Sequence, residues 1–426
     1  MTLRKLLGSG NTKCMFSRFI LLGFAFVAIG ICPRSVADQP SSDAGRAPNS
    51  ACFIAFSDFH YTGDTDSTTL PLPDHGDDSN KRLVVAALQS ARHSCPNPLF
   101  ILDLGDNLAH ASKRMQPFVA NNVEKELASQ VAAVFPGKPV FAVPGNNDYG
   151  DDDDQQDYSV QSPSFLRAFA SSWSQRIDNL NEAGFGQTFS SNGCFAVQLP
   201  GVHHCKLIGL DTSYFINYNA PQQSLNQINW MSNEVSQARN SGDTVWLAFH
   251  IAPNAKGEHQ WNHRVKAAFW KSFLDGSNAP AVIFCGHTHR DELQVIVSGD
   301  RPITVLHTVP AVSPIYANNP GYQVFEVNTN TGELLNCRTY WLDLRRAGNR
   351  EAWPLEYRSD DSPPNGLGIS KYDPSDVLSF VRRLRSDGKL EKSYWRFYSV
   401  EDPTAHAPFG EPKWLYKHAM IIPIGE

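Results

Sequence analysis

Six short, almost wholly apolar runs constrain this chain more than any other feature. They are Cys52–Phe56, Leu99–Leu104, Val140–Val143, Leu207–Leu210, Val245–Phe249 and Ala281–Phe284, each four to six residues long. A run of that length without polar alternation suits a strand buried on both faces. Longer amphipathic stretches separate them. The clearest places Leu225, Ile228, Met231, Val235 and Ala238 at helical spacing. Strands alternating with helices predict an α/β fold. After residue 290 the pattern changes to consecutive strands over 292–297, 303–309, 322–328 and 334–343, with turns at Gly299-Asp300 and Asn330-Thr331-Gly332. The expected architecture is a layered sandwich with sheets inside and helices outside. Past Leu344 the chain is polar until a helix that Asp373 caps and Pro374 opens, with Val377, Phe380, Val381 and Leu384 on its apolar face. Gly388 is expected to end it. Trp395, Phe397, Tyr398, Trp414 and Tyr416 supply aromatic area for docking this tail.

The chain has 426 residues, 41% hydrophobic and 19% charged, with a formal net charge of −6. These values exclude a disordered chain and a polytopic membrane protein. The first 37 residues carry five basic residues (Arg4, Lys5, Lys13, Arg18 and Arg34) and no acid, so the remainder is more acidic than the whole. An acidic body argues against nucleic-acid polymers as partners, because they call for positive charge against phosphates. A small phosphate substrate stays open if metal ions supply that charge. Those basic residues frame the apolar run Phe19–Cys32, and Ser35-Val36-Ala37 comes next as a small-x-small cleavage site. This is the pattern of a secretory signal over 1–37, which predicts a secreted, periplasmic or extracellular protein. At 14 residues the run is short of the roughly 20 needed to span a bilayer, so no stable membrane span is expected after cleavage. Cys32 is a weak lipid-attachment candidate, because Ile31 stands where a small residue is needed. Residues 38–50 are rich in Pro, Ser and Ala and read as a linker.

Six cysteines lie beyond the signal, and six permit fifteen pairings. Cys194 and Cys205 flank the turn Pro200-Gly201, the place for a bridge across a hairpin. Cys52 starts one strand and Cys95 ends the next helix, a second candidate pair. Cys285 lies inside a buried strand and reads equally well as a packed thiol. No Cys-x-x-Cys occurs, which excludes a zinc ribbon.

The chemistry lies just past the apolar runs. The first is succeeded by Ser57-Asp58-Phe59-His60, the second by Gly105-Asp106-Asn107 and then His110, and the third by Gly145-Asn146-Asn147-Asp148. Val245–Phe249 leads into His250, and Ala281–Phe284 into Cys285 and then Gly286-His287-Thr288-His289. Sites in open α/β sheets form at the carboxyl ends of strands. A lone Asp or His there is usually a turn former. Five such ends together deliver carboxylate, imidazole and amide oxygen, the ligand types for zinc, iron or manganese. Seven ligating residues with one shared carboxylate fit a pair of metals. His203, His204, His259 and His263 read as solvated. His307 lies late in a strand and is a candidate for lining a substrate pocket. Asp151 to Asp154 read as a solvated loop, with a cation contact as the alternative. Arg382, Arg383 and Arg385 read as a solvated helix face.

These ordered motifs resemble the calcineurin-like metallophosphoesterases, whose pattern is Asp-x-His, Gly-Asp, Gly-Asn-His-Asp/Glu, a lone His and Gly-His-x-His. The resemblance implies a four-layer α/β/β/α sandwich over 51–345, with a mainly helical C-terminal extension over 346–426 packed on it. It also implies that Asp58, His60, Asp106 and His289 hold one divalent metal, and Asp106, Asn146, His250 and His287 the other. Zinc is the first expectation, with manganese or iron as alternatives. A narrower resemblance, to the acid sphingomyelinase and sphingomyelinase-like phosphodiesterase group, rests on Gly286-His287-Thr288-His289-Arg290-Asp291-Glu292-Leu293, Pro310-Ala311-Val312-Ser313-Pro314, Asn318-Asn319-Pro320-Gly321-Tyr322 and Thr339-Tyr340-Trp341-Leu342-Asp343-Leu344. One departure stands out: Asn147 occupies the place of the family's usual His. Asn donates a hydrogen bond but cannot deliver a proton. The expected mechanism has a metal-activated hydroxide attacking phosphorus in line, His110 protonating the departing oxygen, and Asn147 donating to a phosphate oxygen. The expected substrate is a small phosphodiester or phospholipid headgroup, with sphingomyelin-like and nucleotide diesters both open. A phosphomonoesterase, or an inactive scaffold that only binds, are the alternatives. Oligomeric state is not legible.

Overall fold

In the computed structural model, which describes residues 48–63, 70–110, 117–148, 163–174, 185–216, 221–273, 279–347, 351–401 and 420–424, the apolar runs become strands. In chain order the strands are β1 (Ser50–Phe56), β2 (Ile101–Asp103), β3 (Val140–Ala142), β4 (Phe195–Gln198), β5 (Cys205–Gly209), β6 (Thr244–Ala248), β7 (Val282–Cys285), β8 (Glu292–Ser298), β9 (Arg301–Thr308), β10 (Gly321–Asn328), β11 (Leu334–Trp341), β12 (Leu355–Arg358) and β13 (Ile421–Pro423). The helices are α1 (Lys81–Ser94), α2 (Pro117–Val134), α3 (Pro163–Ser174), α4 (Phe185–Asn192), α5 (Pro221–Asn240), α6 (His263–Lys271), α7 (Leu344–Ala347), α8 (Pro374–Leu384) and α9 (Gly388–Tyr398). The signal reading over 1–37, nearly all of the 38–50 linker, Asp151 to Asp154, Trp414 and Tyr416 lie outside the described residues.

The strands form two sheets, ordered β12-β11-β10-β1-β2-β3 and β13-β8-β9-β7-β6-β5-β4. β1, β2 and β3 are parallel, with Ile54 opposite Ile101 and Leu102 opposite Phe141. In the second sheet β5, β6, β7 and β9 are parallel. Parallel neighbours place their carboxyl ends on one rim, and the polar motifs come directly after those ends. Between the sheets lies an aromatic cluster. The ring of Phe53 stacks on Phe100 at 4.7 Å and on Phe325 at 5.1 Å from its own sheet, and meets Trp246 at 5.3 Å and Phe284 at 5.9 Å from the other. Rings at such separations contribute beyond the area they remove from water. The face of the second sheet that carries Ile208, Val245 and Leu247 packs with Met231 and Val235 of α5. Sheets inside and helices outside is the architecture expected.

The C-terminal extension does more than pack. β12 pairs with β11 in one sheet, and β13 pairs with β8 in the other. Residues Ala47–Glu426 form one unit. Asp373 caps α8 by accepting from the Ser375 and Asp376 amides at 2.8 and 2.9 Å. Gly388 corrects its expectation: α8 ends at Leu384, and Gly388 opens α9, because Asp387 accepts from the Lys389 and Leu390 amides and starts a new helix.

The cysteines divide. Cys52 and Cys95 form a disulfide that ties β1 to the end of α1. Cys285 is buried and free. The expected Cys194–Cys205 bridge is absent, and both thiols are free and buried. In the β4–β5 hairpin Phe195 pairs with Gly209 and Gln198 with Lys206, so the two cysteines stand at opposite ends. They also belong to different apolar clusters. A disulfide needs Cα atoms within about 7 Å, and this register forbids that.

Candidate metal centre

Each expected ligand sits just past a strand, and five of them stand on backbone that resists ordinary residues. Asp58 (φ 50°), His60 (41°), Asp106 (55°), His287 (77°) and His289 (62°) all adopt the left-handed region. Non-glycine residues rarely do so, and such strain persists only where surrounding contacts hold it. The contacts are present. The Asp58 amide donates to the Gly105 carbonyl and the His60 amide to the Asp106 carbonyl, each at 2.9 Å. The Asp148 carboxylate gathers the amides of Gly145, Asp106, Asn107 and Leu108 at 2.7 to 3.1 Å, which locks the β2 and β3 loops together. Gly145 and Gly286 are required by proximity. A Cβ on Gly145 would collide with the Asp106 carboxylate, and one on Gly286 with the Ser57 hydroxyl.

The expected ligands fall into two donor groups, and a third cluster, His60 with Asp78 and His110, adjoins the first. Asp58, His60 and His289 offer ligand atoms within 4.8 Å of one another, and so do Asp106, His250 and His287. One Asp106 oxygen lies between them, 3.7 Å from His60 Nε2 and 3.2 Å from His250 Nε2. Asn146 is buried on the adjoining loop. Its neighbour Asn147 lies against the shared carboxylate. Its amide and side chain donate to the two Asp106 oxygens at 2.7 and 2.6 Å.

The ring tautomers test whether cations fit. His60 Nδ1 lies 3.0 Å from the Leu108 carbonyl, and His250 Nδ1 lies 2.6 Å from the Leu104 carbonyl. A carbonyl only accepts, so each Nδ1 donates and each Nε2 is turned to the carboxylates. Burial, against the pull of Asp106, pushes His60 down to about 3, so its Nε2 presents a lone pair among His289 Nε2 at 3.1 Å and the carboxylates of Asp58 and Asp106. Burial opposes charge on His250 too, but Asp106 beside it pushes it up to about 10. Burial works to raise Asp58, yet His289 and His250 hold it at about 2. Asp106 is held well below the carboxylate range by His250 and His60, against its own burial. The His60 lone pair facing buried, ionised carboxylates calls for positive charge, and the donor set suits divalent ions.

Beside this pair stands His110. Its ring stacks on His60 at 4.2 Å, its Nδ1 is 2.9 Å from Asp78, and its Nε2 is 3.1 Å from the Tyr316 hydroxyl. Tyr316 also sets its ring edge-on to His289 at 4.6 Å and is pushed up to about 12 by burial and by Asp106 and Asp58. Asp78 and Tyr316 escaped the sequence reading, since one sits in an acidic stretch and the other ends a loop with no motif of its own. His259, expected to be solvated, is half-buried and packs edge-on to His287 at 4.5 Å. His307 is corrected: it is buried in the core, where it bonds Tyr372 and lies 2.7 Å from Gln323, so it lines no substrate pocket.

A family-level comparison matches residues 53–291 to the calcineurin-like phosphoesterases. The chain belongs to that family. The phosphoesterase is 24% identical over 352 residues to acid sphingomyelinase-like phosphodiesterase 3b of Mus musculus, covering 78% of this chain and 75% of the relative. It is 25% identical over 402 residues to cyclic GMP-AMP phosphodiesterase SMPDL3A of Bos taurus, covering 85% and 86%. Human sphingomyelin phosphodiesterase is 29% identical over 198 residues, which is 44% of this chain and 30% of that one. A solved dimetal phosphatase from Danio rerio aligns over 68% of this chain and 95% of its own, at 12% identity and a TM-score of 0.45. The phosphoesterase is thus a hydrolase of phosphoester bonds with sphingomyelinase-like phosphodiesterase relatives. The family uses two divalent metals, and the two donor groups are this phosphoesterase's candidates for holding them.

Proposed function

We propose that the chain is a secreted phosphodiesterase that holds two divalent ions, zinc first, and cleaves small diesters or lipid headgroups. The observation that carries this reading is one Asp106 oxygen standing between two donor groups, with an oriented imidazole alongside. Asp58, His60, Asp106 and His289 would hold one ion, and Asp106, Asn146, His250 and His287 the other. When bound, such ions supply positive charge against the phosphoryl oxygens and make a coordinated water more acidic.

The chain's own groups do the rest. Asn147 fixes both oxygens of the shared carboxylate, so Asp106 cannot rotate away from either donor group. Asp78 anchors His110 Nδ1, which leaves Nε2–H to be given to the departing oxygen. The place where the Tyr316 hydroxyl meets Nε2 is where that oxygen would sit. His110 thereby takes the proton-delivery role that Asn147 cannot. Diesters are favoured because the named relatives are phosphodiesterases. The basic and apolar N-terminus supports export, and the Cys52–Cys95 disulfide fits an oxidising compartment.

A panel of bis(p-nitrophenyl) phosphate, p-nitrophenyl phosphate, sphingomyelin and cyclic GMP-AMP, with zinc or manganese added, tests this. Diester turnover above monoester turnover is expected. Turnover of the monoester alone would replace the reading with a phosphomonoesterase, and no turnover of any would leave a binding scaffold. Sequencing the N-terminus of exported protein should give Asp38, and retention of Met1 would remove the signal.

A further inference from the structure

We propose that the C-terminal extension positions the metal loop, acting through Asp291, Glu292 and Leu293. This rests on the reading that His287 and His289 are ligands. Both have left-handed backbone, so the loop needs an outside restraint to hold its shape. Residues 291–293 of the same segment receive one. The Asp291 carboxylate accepts from Gln323 at 2.9 Å, Thr339 at 2.8 Å and Tyr357 at 2.8 Å, one donor from each of β10, β11 and β12. Asp291 leads into the second sheet, so this one carboxylate ties the loop to the opposite sheet. From the other side α9 closes on the same segment. The Asp291 amide donates to the Tyr398 carbonyl at 3.3 Å, the Tyr398 hydroxyl donates to Glu292 at 3.3 Å, and the Leu293 amide donates to the Tyr394 hydroxyl at 3.0 Å.

Asp291, Glu292 and Leu293 are all buried, so water cannot replace these partners. Two of the three clamping tyrosines, Tyr394 and Tyr398, lie on α9, and Tyr357 lies on β12, all beyond residue 345. The Tyr357 ring stacks on Phe397 at 4.3 Å, which couples the two arms of the clamp to each other. The extension is therefore part of the catalytic unit. Tyr357 and Tyr394 are positioning residues: they touch neither metal nor substrate, and they set the angle at which His287 and His289 present their rings.

The test removes single oxygen atoms from the full chain. Tyr394→Phe and Tyr357→Phe, made separately, keep the rings and their packing. Tyr322→Phe is the control, because its buried hydroxyl bonds Ser90 and Ser94 on α1, outside the clamp. Zinc affinity is measured by chelator competition, Tm is measured without metal, and kcat and KM are separated on a diester. Each clamp variant is expected to bind zinc about 10- to 100-fold more weakly, with kcat reduced and KM little changed. The control is expected to lose Tm alone. Zinc affinity and kcat that match the parent, or that fall equally in the control, would overturn the proposal. Should one clamp variant not fold, the other carries the test. A parent that binds no zinc would instead overturn the metal reading itself.

Discussion

Phe53 and Asp58 stand five positions apart on the same stretch of chain, and both are fully buried. Burial acts on them in opposite directions. Removing the Phe53 ring from water stabilises the fold by about 2–3 kcal/mol, and its four aromatic neighbours need nothing else. Taking the Asp58 carboxylate out of water is unfavourable unless opposite charge meets it. Its backbone is also in the left-handed region, where that of Phe53 is an ordinary strand. The interior of the sandwich is self-sufficient, and its rim is not. The rim is held by the backbone amides gathered on Asp148, by the C-terminal clamp and, as proposed, by two cations.

This contrast is most vulnerable at the rim. Asp106→Asn removes the shared charge and is expected to lower diester turnover about a thousand-fold or more, with zinc content falling below two per chain. The fold should persist, and elemental analysis with near-ultraviolet circular dichroism reads both outcomes. Full activity with unchanged zinc would contradict the assignment. The converse change is Phe53→Ala. It should destabilise the fold by about 3–5 kcal/mol in denaturant unfolding, yet leave kcat per folded molecule near the parent's. Loss of kcat without loss of stability would erase the distinction between the two regions.

His110→Ala separates proton delivery from metal binding within the rim. Turnover of diesters with poor leaving groups should fall about 100-fold, while a p-nitrophenyl diester, whose leaving group needs no proton, should be nearly unaffected. Equal losses on both would remove the proton-donor role.

The smallest effect concerns pH in the metal-free protein. Burial pushes Asp103 up to about 7 with help from Asp148, and pushes Asp291 and Glu292 up to about 7 as well. Raised carboxylates add stability that is full below their unfolded values and is lost as pH rises through about 7. His250, raised to about 10, adds stability that is lost as pH climbs from 6.5 through that value. Asp58, lowered to about 2, matters only in strong acid. His60 and His307, which burial lowers to about 3 and about 4, add an opposite slope up to pH 6.5, so Tm measured in chelator should drop between about pH 6.5 and about pH 9. Zinc should reduce that drop, because metal binding displaces protons and strengthens as pH rises. A metal-free Tm that climbs over this range would contradict the burial argument.

Much of the fold and of the site is legible from residue order. Buried strands announce themselves as apolar runs, so β1, β3, β5, β6 and β7 fall where expected, and the polar motifs behind them converge because parallel strands share a rim. The hidden features depend on register or on side-chain reach. Cys194 and Cys205 look bridgeable until pairing sets them at opposite ends of a hairpin. Asp78 and His110 are 32 residues apart and meet only through the loop after β2. His307 carries no local sign that Tyr372 and Gln323 will enclose it. β12 and β13 are short edge strands, and only their partners β11 and β8 define them.

The central claim is that distant segments converge to hold two cations around Asp106. Anomalous diffraction at the zinc edge, from crystals grown or soaked with zinc, tests it most directly. The account predicts two peaks flanking the Asp106 carboxylate, one among Asp58, His60 and His289 and the other among Asn146, His250 and His287. A single peak away from Asp106, or none at that rim, would contradict it.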